Sequence, residues 1–265
     1  MTARTKASEM WQQILSAPGD QNLRESFVQA LQETGDPRAE IFRLADLLEK
    51  NPRWRNEDIY MALLEQYQSS LVSWRAGFDS MASGWQSEIV FVRGLPIEVT
   101  VAASDFVDHA GEIVSMIPLR HLNLSAIAAS TEVFQAPQLA QIASIDGSKQ
   151  PWSGEPIKAL AASVWLTDLR WLDLSGSDIV DADIEILAAS PNLRQLEYID
   201  FRRNPCRDPV DASAGYGSDE YGRIVWESVY LPEHGQELER RHGRIEWLRS
   251  LENFMEKHPP KRYLF

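Results

Sequence analysis

A 27-residue echo of the chain within itself, between about residues 133 and 206, constrains the fold more than any other feature. Leu166, Leu169, Leu172, Asp173 and Leu174 return 27 residues later as Leu193, Leu196, Ile199, Asp200 and Phe201. Twenty-seven residues earlier stand Leu139, Ile142, Ile145, Asp146 and Gly147. The preceding stretch also repeats, Leu160-Ala161-Ala162-Ser163 becoming Leu187-Ala188-Ala189-Ser190. At such a period each unit is one supersecondary element that cannot bury its apolar side alone, so the units must stack. Arrays of this kind usually present binding surfaces. Leu119, Leu122 and Leu124 make an earlier unit, only 23 residues before Ile142 and Ile145, so the spacing is irregular at the start.

Residues 5–75 carry helical periodicity instead. Trp11, Ile14 and Leu15 form one stripe, broken by Pro18-Gly19-Asp20. A second helix from about Asn22 carries Leu23, Phe27, Ala30 and Leu31, and Gly35 ends it as a left-handed cap. Asp36-Pro37 restarts a helix as N-cap followed by proline, with Ile41, Leu44, Leu47 and Leu48 as its stripe and Pro52 as its stop. A fourth helix runs from about Asn56 through Tyr60, Leu63, Leu64 and Tyr67 to Leu71 and Trp74. From Glu88 the period becomes two: Ile89 and Phe91, then Ile97, Val99 and Val101. Residues 207–222, with Pro209, Gly215, Gly217 and Gly222, are expected to be a loop. The segment Gln236 to Glu256 is expected to be a helix, with Leu238, Ile245, Leu248, Leu251 and Phe254 as its apolar side. These shifts divide the chain into a helical part (1–88), a repeat region (89–206) and a loop with a capping helix (207–265). The expected class is α/β.

Composition narrows the function. The net charge is −13, from 39 acidic and 26 basic residues. The repeat region holds 8 basic against 15 acidic residues, the largest imbalance of the three parts. Such a surface repels phosphate backbones and anionic lipid, disfavours nucleic acid and membrane, and speeds encounter with a basic protein. Acidity also serves solubility alone. No apolar run approaches the roughly 20 residues of a membrane span, and Met1–Met10 has no signal-peptide core. The single cysteine, Cys206, excludes an internal disulfide and points to a reducing, cytoplasmic setting.

The units Leu169-x-x-Leu172-x-Leu174 and Leu196-x-x-Ile199-x-Phe201-x-x-Asn204 resemble leucine-rich repeats of the long kind. The resemblance implies one short strand and one helix per unit, stacked into a curved solenoid; Ile179, Ile184, Leu187 and Ala188 fit that helix. Only Asn204 keeps the turn asparagine, with Ser177 and Ser148 in its place elsewhere. Gly147 replaces the third strand leucine, which predicts a poorly packed strand. Gly35-Asp36-Pro37-Arg38-Ala39-Glu40, with Arg43-Leu44 and Phe91-Val92-Arg93-Gly94-Leu95-Pro96, resembles the small helical repeat-companion domain found beside such repeats in bacterial proteins. That likeness implies a bacterial origin and no particular chemistry.

Strand alternation places the leucines inward and the residues between them outward. The outward sets are His121, Asn123, Ser125; Ser144, Asp146, Ser148; Trp171, Asp173, Ser175; and Tyr198, Asp200, Arg202. Strands about 4.8 Å apart would stack Asp146, Asp173 and Asp200 into an exposed ladder of like charge beside Trp171 and Tyr198. Aromatic anchors beside carboxylates suit the binding of a basic protein. A solvated strand residue copied with the repeat fits equally. Tyr216, Asp219, Glu220, Tyr221 and Trp226 form a second candidate patch, or an ordinary surface loop.

Catalytic patterns are missing from the sequence. The five histidines, His109, His121, His234, His242 and His258, make no zinc-binding spacing, and there is no phosphate loop or nucleophile elbow. No catalytic, cofactor or metal site is expected. The expected function is a non-enzymatic protein-binding module that meets one basic partner as a monomer. In its most concrete form it is an immunity protein that occludes a bacterial toxin such as a nuclease. The alternatives are a signalling scaffold or adaptor and, more remotely, an enzyme with an unfamiliar site.

Overall fold

The computed structural model describes residues 3–53, 55–85, 87–207, 209–210, 214–218, 224–229 and 231–249. The chain divides into two compact units and crosses between them at Val101/Ala102, within helix α5 (Ala103–Met116) and after Arg120. Of the described residues, the first unit holds those up to Val101 together with His109–Arg120; the second holds Ala102–Asp108 and those from His121 onward. It is an α/β protein: a helical N-terminal region, then strands that are mostly parallel and alternate with helices, then a final helix. Among the described residues, no helix is long and apolar enough to cross a membrane.

In the first unit the helices are α1 (Ala3–Ser16), α2 (Gln21–Thr34), α3 (Arg38–Lys50) and α4 (Glu57–Ala82). Local chemistry sets their ends. The Asp20 carboxylate accepts the Asn22 and Leu23 N–H groups at 2.9 and 3.3 Å, and Gly35 closes α2 at φ 65°. Asp36 accepts the Arg38 N–H at 2.9 Å across Pro37, so the aspartate caps α3 as its sequence announces. Phe27, Leu31 and Phe42 are buried among these helices, and Trp11, Phe27, Phe42 and Trp74 meet ring to ring at 5.6–6.1 Å. The antiparallel hairpin β1 (Glu88–Val92) and β2 (Leu95–Ala102) turns at Arg93-Gly94. A Cβ on Gly94 would stand 2.9 Å from the Phe42 ring, and its φ is 88°, so space and backbone both demand glycine there.

In the second unit the echo becomes four parallel strands: β3 (His121–Ser125), β4 (Ser144–Asp146), β5 (Trp171–Asp173) and β6 (Tyr198–Asp200). Leu122, Ile145, Leu172 and Ile199 pair in register and are all essentially buried. After β4 the return path is helix α6 (Glu155–Ala162), and after β5 it is α7 (Asp181–Ala189). The shorter first unit returns through 3-10 turns between Ile127 and Gln141 instead. The repeated serines bind unit to unit: Ser163 donates its hydroxyl to the Phe134 carbonyl and Ser190 to the Ala161 carbonyl, both at 2.6 Å. Asn204 does the same at the other end. Its amide donates to the Leu174 and Phe201 carbonyls at 2.8 Å, and its oxygen accepts Ser177 and Ile179 N–H at 2.7 and 3.1 Å. Counting from the strands, the residue aligned with Asn204 in the β4 unit is Gln150 rather than Ser148. Gln150 accepts the Ala126 N–H at 3.0 Å.

Three expectations are corrected. The unit containing Gly147 is well packed, because Trp152 is completely buried against Phe134 at 5.7 Å and donates its indole N–H to the Gly147 carbonyl at 2.7 Å. The indole takes the volume that the leucine fills in neighbouring units. Residues 207–222 are not all loop: β7 (Ala214–Ser218) pairs antiparallel with β8 (Ile224–Val229). Helix α8 spans Glu233–His242 only, because Gly243 leaves helical geometry at φ 81°, and a 3-10 turn follows at Glu246–Leu248. Leu251 and Phe254 lie outside the described residues. Leu238, Trp247 and Leu248 are buried, and Trp247 meets Phe201 at 5.6 Å, so this segment closes the apolar end of the last repeat.

A leucine at Gly147 matches the repeat and yet breaks the fold, since its Cβ would lie 2.2 Å from Trp152. Gly147→Leu is expected to cost about 3 kcal/mol and Trp152→Ala about 3–5 kcal/mol. In a denaturation double-mutant cycle the pair should cost at least about 1 kcal/mol less than the sum, because each change makes room for the other. Strict additivity would refute the volume exchange.

Candidate functional site

The outward strand positions form three rows. His121, Ser144, Trp171 and Tyr198 pair along the first; Asn123, Asp146, Asp173 and Asp200 along the second. The third holds Ser125, Ser148, Ser175 and Arg202, just beyond the strand ends. The register thus brings the three aspartates together as the spacing predicts. Their exposure differs from the expectation.

The first row is buried. His121 is fully enclosed, with its Nδ1 2.7 Å from the Ser144 hydroxyl. Trp171 and Tyr198 keep only 9% and 6% of their surface, and their rings stack 4.7 Å apart at 31°. They therefore act as packing between adjacent strands, not as open anchors. Burial pushes the Tyr198 hydroxyl far above its usual pKa, and the Asp200 charge adds to the effect.

The second row is divided. The Asp200 side chain is 1% exposed and bound by Arg202, whose guanidinium donates to both carboxylate oxygens at 2.5–3.1 Å. That hydrogen bonding holds the Arg202 pKa above its usual value. Sequence reasoning placed both residues on a partner surface, whereas here each is the other's counter-ion. Asp146 and Asp173 are half-buried. Each aspartate also has a local duty. Asp146 accepts the Ser148 N–H at 3.0 Å, Asp173 that of Ser175 at 2.9 Å and Asp200 that of Arg202 at 2.9 Å. This is an Asx turn at the exits of β4, β5 and β6, and it gives the repeat a structural reason to keep aspartate.

Every exit then enters the left-handed region one residue later. Lys149, Gly176 and Arg203 stand 27 residues apart at φ 58°, 62° and 62°, and Ala126 holds the same place after β3 at 52°. Glycine adopts this conformation freely, while each other residue costs on the order of 1 kcal/mol. Only Gly176 shows the position in the sequence.

Of the second patch, Tyr216 and Trp226 are register partners on β7 and β8. Asp219, Glu220 and Tyr221 lie outside the described residues. A cleft of about 420 Å³ in the second unit is lined by Arg194, His242, Arg244 and Glu246 over Trp247. Arg244 is tied to Glu246 at 2.6 Å and His242 to Glu185 at 2.9 Å. Among the described residues, no group of three His, Cys, Asp or Glu could hold a metal ion. Comparison with family models, with curated proteins and with solved structures gives no match.

Burial is the main influence that raises the Asp173 carboxyl pKa; the Ser175 hydrogen bonds oppose it, and Asp200 and Asp146 raise it further. A carboxyl raised on folding stabilises the protein fully below its unfolded value, near 3.9, and that contribution is lost as pH rises through the folded value. Asp173→Asn, which keeps the Asx acceptor, should therefore be more stable than the parent at pH 7, and the advantage should vanish below about pH 4. Chemical denaturation at the two pH values decides; a destabilised variant at pH 7 counts against a charge held at a cost by burial and, to a lesser degree, by its acidic neighbours.

Proposed function

We propose that this chain is a non-enzymatic protein-binding module with a short leucine-rich-repeat-like array, and that it meets a basic partner through the strand exits. The observation that carries the reading is the in-register row of Asp146, Asp173 and Asp200. Arg202 neutralises the last of these, and no cation pairs with Asp146 or Asp173 among the described residues. Two carboxylates about 4.8 Å apart, in no ion pair among the described residues and in an acidic chain, attract arginine and lysine side chains. In its most concrete form the module is an immunity protein that binds a toxin, a basic nuclease above all, and occludes its active site. Leucine-rich inhibitors of ribonucleases supply an analogy of fold only.

A scaffold or adaptor role fits the same surface, with acidity then incidental to binding. Ionic strength separates the two, because carboxylate steering weakens as salt screens it. The test pairs the purified chain with a nuclease toxin encoded beside its gene. Stoichiometric loss of nuclease activity is expected, with association slowed about tenfold between roughly 50 and 500 mM salt. Asp146→Asn combined with Asp173→Asn should slow association and flatten that dependence while leaving the Asx turns in place. A nuclease that stays fully active with excess chain removes the toxin reading.

A further inference from the structure

We infer that the exits of β4, β5 and β6 form a docking edge of alternating charge, and that this edge fits one helix of a partner protein. That helix presents two basic side chains one turn apart and two acidic side chains two turns apart. The inference rests on the protein-binding reading and specifies the partner's chemistry.

The row below this edge is closed, since His121, Ser144, Trp171 and Tyr198 are all buried. At the exits Asp146 and Asp173 are half-buried, while Lys149 and Arg203 are exposed. Neither Lys149 nor Arg203 has a side-chain partner among the described residues. Both occupy the left-handed position that Gly176 fills between them without strain. The same position after β3 is Ala126, so the backbone angle is common to the exits, and what distinguishes Lys149 and Arg203 is the exposed charge they add to the edge. The edge therefore offers carboxylates on adjacent strands and ammonium and guanidinium groups on alternate strands.

Spacing selects the occupant. Adjacent strands are about 4.8 Å apart, so the cations stand on strands separated by roughly 10 Å. Side chains one turn apart on a helix are about 5–6 Å from each other, and seven residues of helix rise about 10.5 Å. An extended segment places same-face side chains about 6.8 Å apart and drifts out of step with the ladder. A helix lying across the strand ends thus sets basic groups over Asp146 and Asp173 and acidic groups over Lys149 and Arg203. The mixture also sets direction, since reversing the helix brings like charges together.

The test uses a synthetic alanine-rich helical peptide with arginines at i and i+4 and, on the adjacent face, glutamates seven residues apart. The control exchanges every arginine and glutamate. By calorimetry at low salt, the first peptide should bind the full chain saturably and at least tenfold more tightly than the control. Lys149→Gly and Arg203→Gly should each weaken it threefold or more, while the thermal midpoint holds or rises by about 2 °C. No saturable binding, or equal binding of the two peptides, overturns the inference, as do glycine variants that bind like the parent. If Asp146→Asn with Asp173→Asn abolishes binding and the glycine variants do not, alternation fails and the acidic docking face survives. If neither set matters, both fail.

Discussion

The second unit depends on parallel, in-register pairing of four short strands, with Leu122, Ile145, Leu172 and Ile199 superposed along a buried row. Period-two alternation then leaves no freedom, because a slip of one residue would turn every leucine outward. Once those four positions align, His121, Ser144, Trp171 and Tyr198 must line up on one side of them, and the acidic row on the other. The serine, asparagine and glutamine bonds between units hold the same registration from the helix side and from the strand exits. A repeat array is stable only through such neighbour contacts.

The aspartates show how one residue type can satisfy two demands. Each carboxylate closes its strand exit by accepting an N–H two residues on, so substitution by alanine would free a backbone donor. Stacking three of them at strand spacing brings like charges close, and among the described residues an ion pair relieves this at one end, through Arg202. Asp173 is left with a raised pKa, and Asp146 is in no ion pair among the described residues. The unrelieved charge is the resource that the proposed partner would use. Its local hydrogen bonds explain why the residue is aspartate even if no partner came.

Much of the architecture was legible because it follows local rules. Gly35, Asp36 and Pro37 announced the break between α2 and α3, and the 27-residue offset placed the strands and their register. Less legible were features set by contacts distant in sequence or by exceptions to a pattern. Gly147 looked like a defect, since a glycine in a leucine position shows nothing of the indole that fills the gap from five residues away. The hairpin β7–β8 was hidden by glycines that resemble a loop. Helix α8 stopped at Gly243 although apolar spacing continued past it.

By itself the sequence determined the stacking period, the inward and outward faces and the alignment of the three aspartates, because a fixed repeat and a two-residue side-chain alternation leave one solution. The tertiary structure alone decided which outward groups remain open. Trp171 and Tyr198 bury each other, Arg202 neutralises Asp200, and four successive exits turn left-handed with Lys149 and Arg203 facing water. Alternation states the side of a strand on which a residue lies. Exposure and charge depend on neighbours that only folding supplies.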